Sequence, residues 1–125
     1  MGEFLYKQET YEIIGLCMEI HRILGNGFSE IVYKDAMVIE ANLREFTIER
    51  EKKFEIVYKE KILPHHFFAD FVFFDEIIVE IKSIDKEIND EHIAQTLNYL
   101  KISDCRVGLI INFGRKSLEY KRLVF

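Results

Sequence analysis

Apolar residues recur at spacings of three and four along the first part of the chain, which is the pattern of helices packed on a core. The first such stretch predicts a helix over about residues 6 to 24, ended by Gly25-Asn26-Gly27. A second helix is predicted over about residues 30 to 45, with Ser29 as its N-cap. The core-facing residues expected on these helices are Ile13, Ile14, Leu16, Cys17, Ile20, Ile23 and Leu24 on the first, and Ile31, Met37, Val38 and Ala41 on the second.

The pattern changes to that of β-strands after Phe46. Two short strands are expected over residues 55–58 and 62–64, separated by a turn. A long apolar strand over residues 66–74 follows, and a short loop joins it to a hairpin partner over residues 77–81. The dense apolar composition of this last pair predicts a buried hairpin.

A third helix and two more strands complete the pattern. The helix is predicted over about residues 90 to 101, begun by Asn89-Asp90, and a fully buried strand over residues 106–112 follows it. A short last strand is expected over residues 120–124. Because a helix connects one central strand to the next, we expect an α/β fold with a mixed central β-sheet flanked by α-helices. The expected core residues of the third helix are Ile93, Leu97 and Leu100.

The composition predicts one ordinary folded domain over residues 1–125. Hydrophobic residues make up 49% of the chain, including 11 Phe and 6 Tyr, which excludes a mainly disordered protein. Cys17 and Cys105 lie far apart without a C-x-x-C motif, so we expect buried free thiols. No stretch approaches the ~18 apolar residues that cross a bilayer. We therefore expect a cytoplasmic protein with no membrane partner.

The net charge of −5 argues against wrapping of nucleic acid over the whole surface. Residues 101–125 differ from the rest, because they hold six basic side chains against two acidic ones. We expect any phosphate-binding patch to draw on this segment, through contacts such as Arg115, Lys116 and Arg122. The alternative, which the charge pattern taken alone favours, is that these are solvated charges of loops and an edge strand.

Three charged residues interrupt the apolar hairpin. Asp70 lies in the run from Phe67 to Phe74. Glu80 and Lys82 lie two residues apart on the next strand, so both point to the same face of the sheet. A three-residue loop, Phe74 to Glu76, makes the numbers of paired residues sum to 150 and places Asp70 opposite Glu80, whereas a two-residue loop places Asp70 on the other face. We predict the three-residue loop.

Two carboxylates side by side repel each other unless a proton or a cation lies between them. Paired carboxylates are also the ligands that Mg²⁺, Mn²⁺ and Ca²⁺ accept, so the hairpin predicts a divalent-metal site. The alternative is an ion pair of Lys82 with Glu80 or Asp70 that only neutralises a buried position. The D-x9-E-x-K spacing on two apolar strands favours the metal site.

Several blocks of the sequence resemble those of a known family. Gly27 to Tyr33 matches the G-x-x-E-x-x-Y signature of the GxxExxY proteins, a group of small domains in the PD-(D/E)XK nuclease superfamily. The resemblance spans about residues 13 to 114. Its further blocks are Glu19 to Gly25, Ala69-Asp70, Val79 to Lys82, Gln95 to Leu100, and Gly108 to Gly114.

The resemblance implies a three-layer, restriction-endonuclease-like core and a metal-dependent nuclease. It implies that Asp70 and Glu80 bind the catalytic Mg²⁺ or Mn²⁺, with the carbonyl of Ile81 as a further ligand. Lys82 would orient or help to activate the attacking water. Glu30 resembles the extra acidic residue that several branches of the superfamily bring to the metal.

Supporting residues are predicted around this site. Gln95 and Tyr99 resemble the Q-x-x-x-Y element of RecB-like nucleases and would form a wall of the site, although a solvated flank of the helix is the alternative. Tyr33 lies on the same helical face as Glu30, where it supports the site or packs beside the carboxylate. His21 fits a core histidine, with a place near the scissile phosphate as the alternative.

The leading functional hypothesis is metal-dependent hydrolysis of phosphodiester bonds in nucleic acid, with DNA favoured over RNA. The alternative is a nucleic-acid-binding or assembly module that keeps the nuclease fold but performs no chemistry alone. A homodimer or a partner protein would then supply the surface that a small acidic domain lacks. A third hypothesis is a structural domain in which the buried charges neutralise one another.

Overall fold

The computed structural model describes residues 5–125, so residues 1–4 at the start of the predicted domain lie outside the described part. Three helices and five strands follow one another in the order ααβββαββ. The elements are α1 (Lys7–Leu24), α2 (Glu30–Leu43), β1 (Ile48–Tyr58), β2 (Lys61–Phe73), β3 (Ile77–Lys82), α3 (Asp90–Ile102), β4 (Val107–Asn112) and β5 (Glu119–Val124).

The five strands form one mixed sheet in the order β1-β2-β3-β4-β5. β3 and β4 run parallel and are connected through α3, whereas the other neighbouring pairs are antiparallel. α1 and α2 pack on one face of the sheet in a core with Phe71 and Phe73, and α3 packs on the other face, where Leu100 contacts Val72 and Ile78. This three-layer arrangement confirms the predicted α/β fold with a mixed, helix-flanked sheet.

Two strand predictions were wrong in their extent. β1 begins at Ile48 rather than at residue 55, and residues 62–64 and 66–74 belong to one strand, β2. Charged residues occupy both faces of β1 from Glu49 to Lys53, which hides the alternation of an edge strand. Pro64 lies where the β1–β2 register shifts, a position at which a missing N–H is tolerated.

Two core predictions on the helices were also wrong. Ile23 and Ile31 are 63% and 52% exposed, respectively. On α2 the buried positions belong to Tyr33 and Lys34 instead, together with the predicted Met37 and Ala41. Ser29 is the N-cap of α2, but its side chain makes no capping hydrogen bond.

The hairpin register is confirmed. Phe71 pairs with Val79 and Phe73 with Ile77, so the paired numbers sum to 150 as a three-residue loop requires. Phe74 and Asp75 both adopt positive φ in that loop, 56° and 63°.

The alternation of side chains inverts where β1 and β2 pass Glu51 and Asp70. Phe67 and Ala69 pack on the α3 side of the sheet, whereas Phe71 packs on the side of α1 and α2, although strict alternation would place all three on one face. Glu51 has a φ of 56°, and neither it nor Asp70 takes part in the β1–β2 register. The inversion frees both carboxylates from the regular ladder.

Two expectations from composition concern the thiols and the membrane. Cys17 and Cys105 are buried free cysteines, as expected. Within residues 5–125, no helix is both long and apolar enough to span a bilayer.

Candidate metal and nucleic-acid site

Asp70 and Glu80 each accept a hydrogen bond from the backbone of the neighbouring strand. The backbone N–H of Asp70 donates to Glu80 Oε2, and the N–H of Ile81 donates to Asp70 Oδ2, each over 2.8 Å. The β2–β3 ladder ends at the preceding pair, Phe71 with Val79. The two carboxylates therefore bridge the gap where the strands separate, and they lie next to each other as the hairpin register predicts.

Burial and the neighbouring carboxylate of Asp70 both raise the pKa of Glu80. Glu80 is buried, and burial raises its pKa to about 8, helped by the negative charge of Asp70. The hydrogen bond from Asp70 and the charges of Lys82 and Lys34 oppose this rise. Burial is thus the main cause of the raised pKa of Glu80, and the charge of Asp70 is the second.

Lys34 of α2 is a site residue that the sequence argument missed. Its Nζ lies 2.9 Å from Asp70 Oδ1 and 3.3 Å from Glu51 Oε1, and the residue is only 7% exposed. Burial lowers its pKa, but the hydrogen bonds and charges of Asp70 and Glu51 outweigh burial and raise it. The available signal was a charge within the buried stripe that Met37 and Ala41 continue at helical spacing.

Glu30 lies near the pair without joining it. Its pKa is raised by burial and then by Asp70, whereas Lys34 and Lys82 lower it. Among residues 5–125, however, no group of three or more His, Cys, Asp or Glu side chains is arranged to hold a metal ion. Lys34, one turn further along the same helix, makes the contact with Asp70, so the role of Glu30 as a ligand stays a prediction.

The α3 helix packs on the face of the sheet to which Ile78 points, and by alternation Glu80 and Lys82 point to this face as well. The pKa of Tyr99 is raised by burial and then by the charges of Glu80 and Asp70, and a hydrogen bond with Gln95 opposes the rise. Burial and the charge of Lys82 lower the pKa of His92, which the sequence argument did not consider. These effects place Lys82 and the carboxylates within electrostatic reach of α3.

Almost the whole chain matches the model of one protein family. The family model of the PD-(D/E)XK nuclease superfamily matches residues 7–123. The chain belongs to this superfamily. Its members are typically nucleases that generally use divalent metal ions, which implies a nucleic-acid substrate. Neither the curated proteins nor the solved structures gave a match.

Tyr33 has a structural position in this PD-(D/E)XK chain. It is fully buried, and its ring stacks on Phe113 with the centroids 4.4 Å apart. Its hydroxyl donates to the carbonyl of Gly25 over 2.6 Å and accepts from the N–H of Phe28. Tyr33 thus fastens the loop before α2, and its burial leaves no surface for contact with a substrate.

The predicted basic residues Arg115 and Lys116 lie in the loop between β4 and β5, and Arg122 lies on β5. Arg115 and Lys116 line an open cavity of about 660 Å³, in which Arg115 lies 3.7 Å from Glu87 and 3.9 Å from Glu119. His21 Nε2 lies 2.9 Å from the carbonyl of Arg115, so His21 connects α1 to this loop. Arg122 donates to the carbonyl of Leu5, an internal contact that connects β5 to the segment before α1.

Asn112 at the end of β4 is a further residue whose role the sequence did not reveal. Its Oδ1 accepts from the N–H groups of Ile84 and Gly114, and its Nδ2 donates to the carbonyl of Lys86 and to Glu119. A Cβ on Gly114 would lie 2.2 Å from the carbonyl oxygen of Ile84, so this position requires glycine. The loop that follows Lys82 is thus held in place by Asn112 and by its close contact with Gly114.

Proposed function

We propose that this protein is a divalent-metal-dependent nuclease that hydrolyses phosphodiester bonds, with DNA favoured over RNA as its substrate. The observation that supports this most directly is the bridging of Asp70 and Glu80 where β2 and β3 separate. Burial and then the charge of Asp70 raise the pKa of Glu80 to about 8, and a cation bound between the two carboxylates would oppose this rise.

The donor set fits Mg²⁺ or Mn²⁺. Asp70 and Glu80 would hold the ion with the carbonyl of Ile81, whose own N–H already contacts Asp70, and Glu30 would be a further ligand from α2. Hard carboxylate and carbonyl oxygens are the ligands that these ions prefer. When bound, such an ion lowers the pKa of a coordinated water and neutralises charge on a phosphate.

The protein's own residues supply position and charge. Lys82 would orient the attacking water and stabilise the negative charge that develops at phosphorus. Lys34 holds Asp70 in place through its 2.9 Å contact. Gln95 and Tyr99 would form the wall on the α3 side, and the loop with Arg115 and Lys116 would contact the phosphate backbone outside the site.

The finer assignments are also proposals. The Gly27-to-Tyr33 signature supports membership of the GxxExxY group within the superfamily. A cytoplasmic location and a homodimer or partner protein remain predictions.

The experiment compares wild type with Asp70→Asn on labelled single-stranded DNA, double-stranded DNA and RNA, in Mg²⁺, Mn²⁺ or EDTA. We expect metal-dependent cleavage that falls by at least about 100-fold in the variant, because Asp70 contacts the ion. Asp75→Asn, in the exposed hairpin loop, is the matched control and should cleave normally. Lys82→Ala cleaving as well as wild type would contradict the role of Lys82.

One observation favours the non-catalytic alternative. The ammonium of Lys34 already neutralises Asp70 in part, as in a domain whose buried charges are balanced internally. Such a structural domain would cut none of the oligonucleotides in any metal, and Mg²⁺ or Mn²⁺ would not raise its melting temperature.

A further inference from the structure

The β1–β2 hairpin extends past the rest of the sheet. β2 pairs with β3 only over Phe71 to Phe73, whereas its pairing with β1 continues to Tyr58 and Lys61. Residues 52–69 therefore form a two-stranded arm, which begins directly beside Asp70.

The inner face of the arm is fixed to α3 by aromatic stacking. The rings of Phe54 and Phe67 stack with their centroids 5.1 Å apart, and Phe67 stacks on Tyr99 at 3.9 Å. The arm is thus held at its base, and its outer face points away from α3.

The outer face of the arm is exposed and partly apolar. Phe68 is 49% exposed and Ile62 is 64% exposed, and His66 contacts Phe68 edge-on at 5.2 Å. Lys53 lies opposite Phe68 in the register. Six exposed residues make up this outer face: Lys53, Glu55, Val57, Ile62, His66 and Phe68.

The charge of the arm differs in sign from that of the whole chain. Residues 52–69 contain four lysines and two glutamates, a balance of +2, in a chain whose net charge is −5. Lys59 and Lys61 are exposed at its tip. The arm is therefore a local positive region attached to an acidic domain. It suits a polyanion, whereas contact with the same arm of a second copy would bring like charges together.

The arm also leads away from the carboxylates on an open side. Asp35 of α2 pairs with Arg50, and Lys34 pairs with Glu51, so α2 contacts β1 just before the arm begins. The outer face lies on the α2 side of the sheet, from which Lys34 reaches Asp70. Phe68 lies two positions before Asp70, about 7 Å along the strand, which is close to the length of one extended nucleotide.

We propose that the outer face of the arm binds a single-stranded stretch of nucleic acid that runs from the carboxylates toward the tip. Bases stack on Phe68 and His66, and phosphates contact Lys53 on this face and Lys61 at the tip. Exposed aromatic rings beside lysines are the usual means of holding unpaired bases, since every base offers a π-face. This proposal rests on the nuclease function for the position of the scissile phosphate.

The test measures binding by fluorescence anisotropy of a labelled 20-nucleotide oligo(dT) and of a matched duplex, in EDTA so that no cleavage occurs. We expect Phe68→Ala to weaken oligo(dT) binding about tenfold, because one stacked base contributes about 1–3 kcal/mol. Phe125→Ala, at a 55% exposed phenylalanine, is the control and should bind as wild type does.

The charge part of the proposal has its own variant. Lys53→Gln combined with Lys61→Gln should reduce the salt dependence of oligo(dT) binding by about 1.4 in slope, because each lost phosphate contact removes about 0.7. Lys101→Gln, on the exposed surface of α3, should leave the slope unchanged.

Three outcomes would overturn the proposal. The first is that Phe68→Ala binds oligo(dT) as well as wild type, and the second is that wild type prefers the duplex and only the lysine variant binds it more weakly. The third is that Phe68→Ala changes from dimer to monomer with unchanged affinity for oligo(dT). The last outcome would make the outer face an interface between copies. Because binding is read without cleavage, absence of nuclease activity leaves this test intact.

Discussion

Asn112 and Glu80 are both buried polar side chains on neighbouring central strands, but the fold treats them differently. All four hydrogen bonds of the Asn112 amide go to groups of the loop and strand ends around it, over 3.0 to 3.1 Å. Glu80 accepts a bond from the backbone of Asp70 and lies beside a second carboxylate.

This difference distinguishes a structural position from a candidate functional position within one sheet. A buried polar group that is fully hydrogen-bonded stabilises and orients its surroundings. A buried carboxyl whose charge is not balanced costs stability, and such costs concentrate at functional sites. By this criterion the Asn112 corner is a structural support, and the Asp70–Glu80 pair is the candidate functional position.

The largest effect is expected from Asn112→Ala. The substitution leaves the N–H groups of Ile84 and Gly114 and the carbonyl of Lys86 without their partner. We expect a loss of about 4 kcal/mol in the free energy of unfolding, since each unsatisfied buried group costs about 1–3 kcal/mol. Urea denaturation measures the loss, and Asn98→Ala on the exposed side of α3 is the control. A loss below about 1 kcal/mol would remove the contrast with Glu80.

Glu80→Gln should raise the free energy of unfolding, whereas Asn112→Ala lowers it. The folded protein holds a proton on Glu80 up to about pH 8, whereas the unfolded chain releases it near the usual pKa of 4.5. The folded state therefore binds more protons between these values, and the contribution of Glu80 to stability falls as the pH rises through this window. Replacement by neutral Gln removes this fall.

We therefore expect Glu80→Gln to be more stable than wild type by about 2 kcal/mol at pH 9 and equally stable at pH 4. Urea denaturation across this pH range is the measurement. Glu76→Gln, at an exposed position in the hairpin loop, should match wild type at both pH values. A variant that is less stable at pH 9 would mean that the Glu80 charge is already balanced.

Much of the fold and the centre of the site could be predicted from the sequence. The order of helices and strands followed from periodicity, and Asp70, Glu80 and Lys82 stood out because charges are rare in apolar strands. The register followed from turn length alone, because a one-residue change reverses every side chain. These signals come from residues that are close together in the chain, so the sequence alone shows them.

The parts that were missed depend on contacts between distant segments. Lys34 reads as one more solvated lysine until the inversion at Glu51 and Asp70 brings it against two carboxylates. The start of β1 was hidden because its charged residues pair with α2, as in the 2.7 Å contact of Arg50 with Asp35. Asn112 is an ordinary strand-end residue until the loop after β3 folds over it.

The smallest effect is expected at Tyr33, and it tests whether this residue is a structural support or a reacting group. Its hydroxyl is buried and matched, through the 2.6 Å bond to Gly25, so it should behave as a support like Asn112 and not as a reacting group. Tyr33→Phe keeps the stacking on Phe113 and removes this bond, which should cost about 1 kcal/mol in urea denaturation. Tyr11→Phe, 72% exposed on α1, is the control. We expect cleavage within about twofold of wild type in folded protein, because a support acts through position; a rate at least tenfold lower at unchanged stability would place the hydroxyl at the substrate instead.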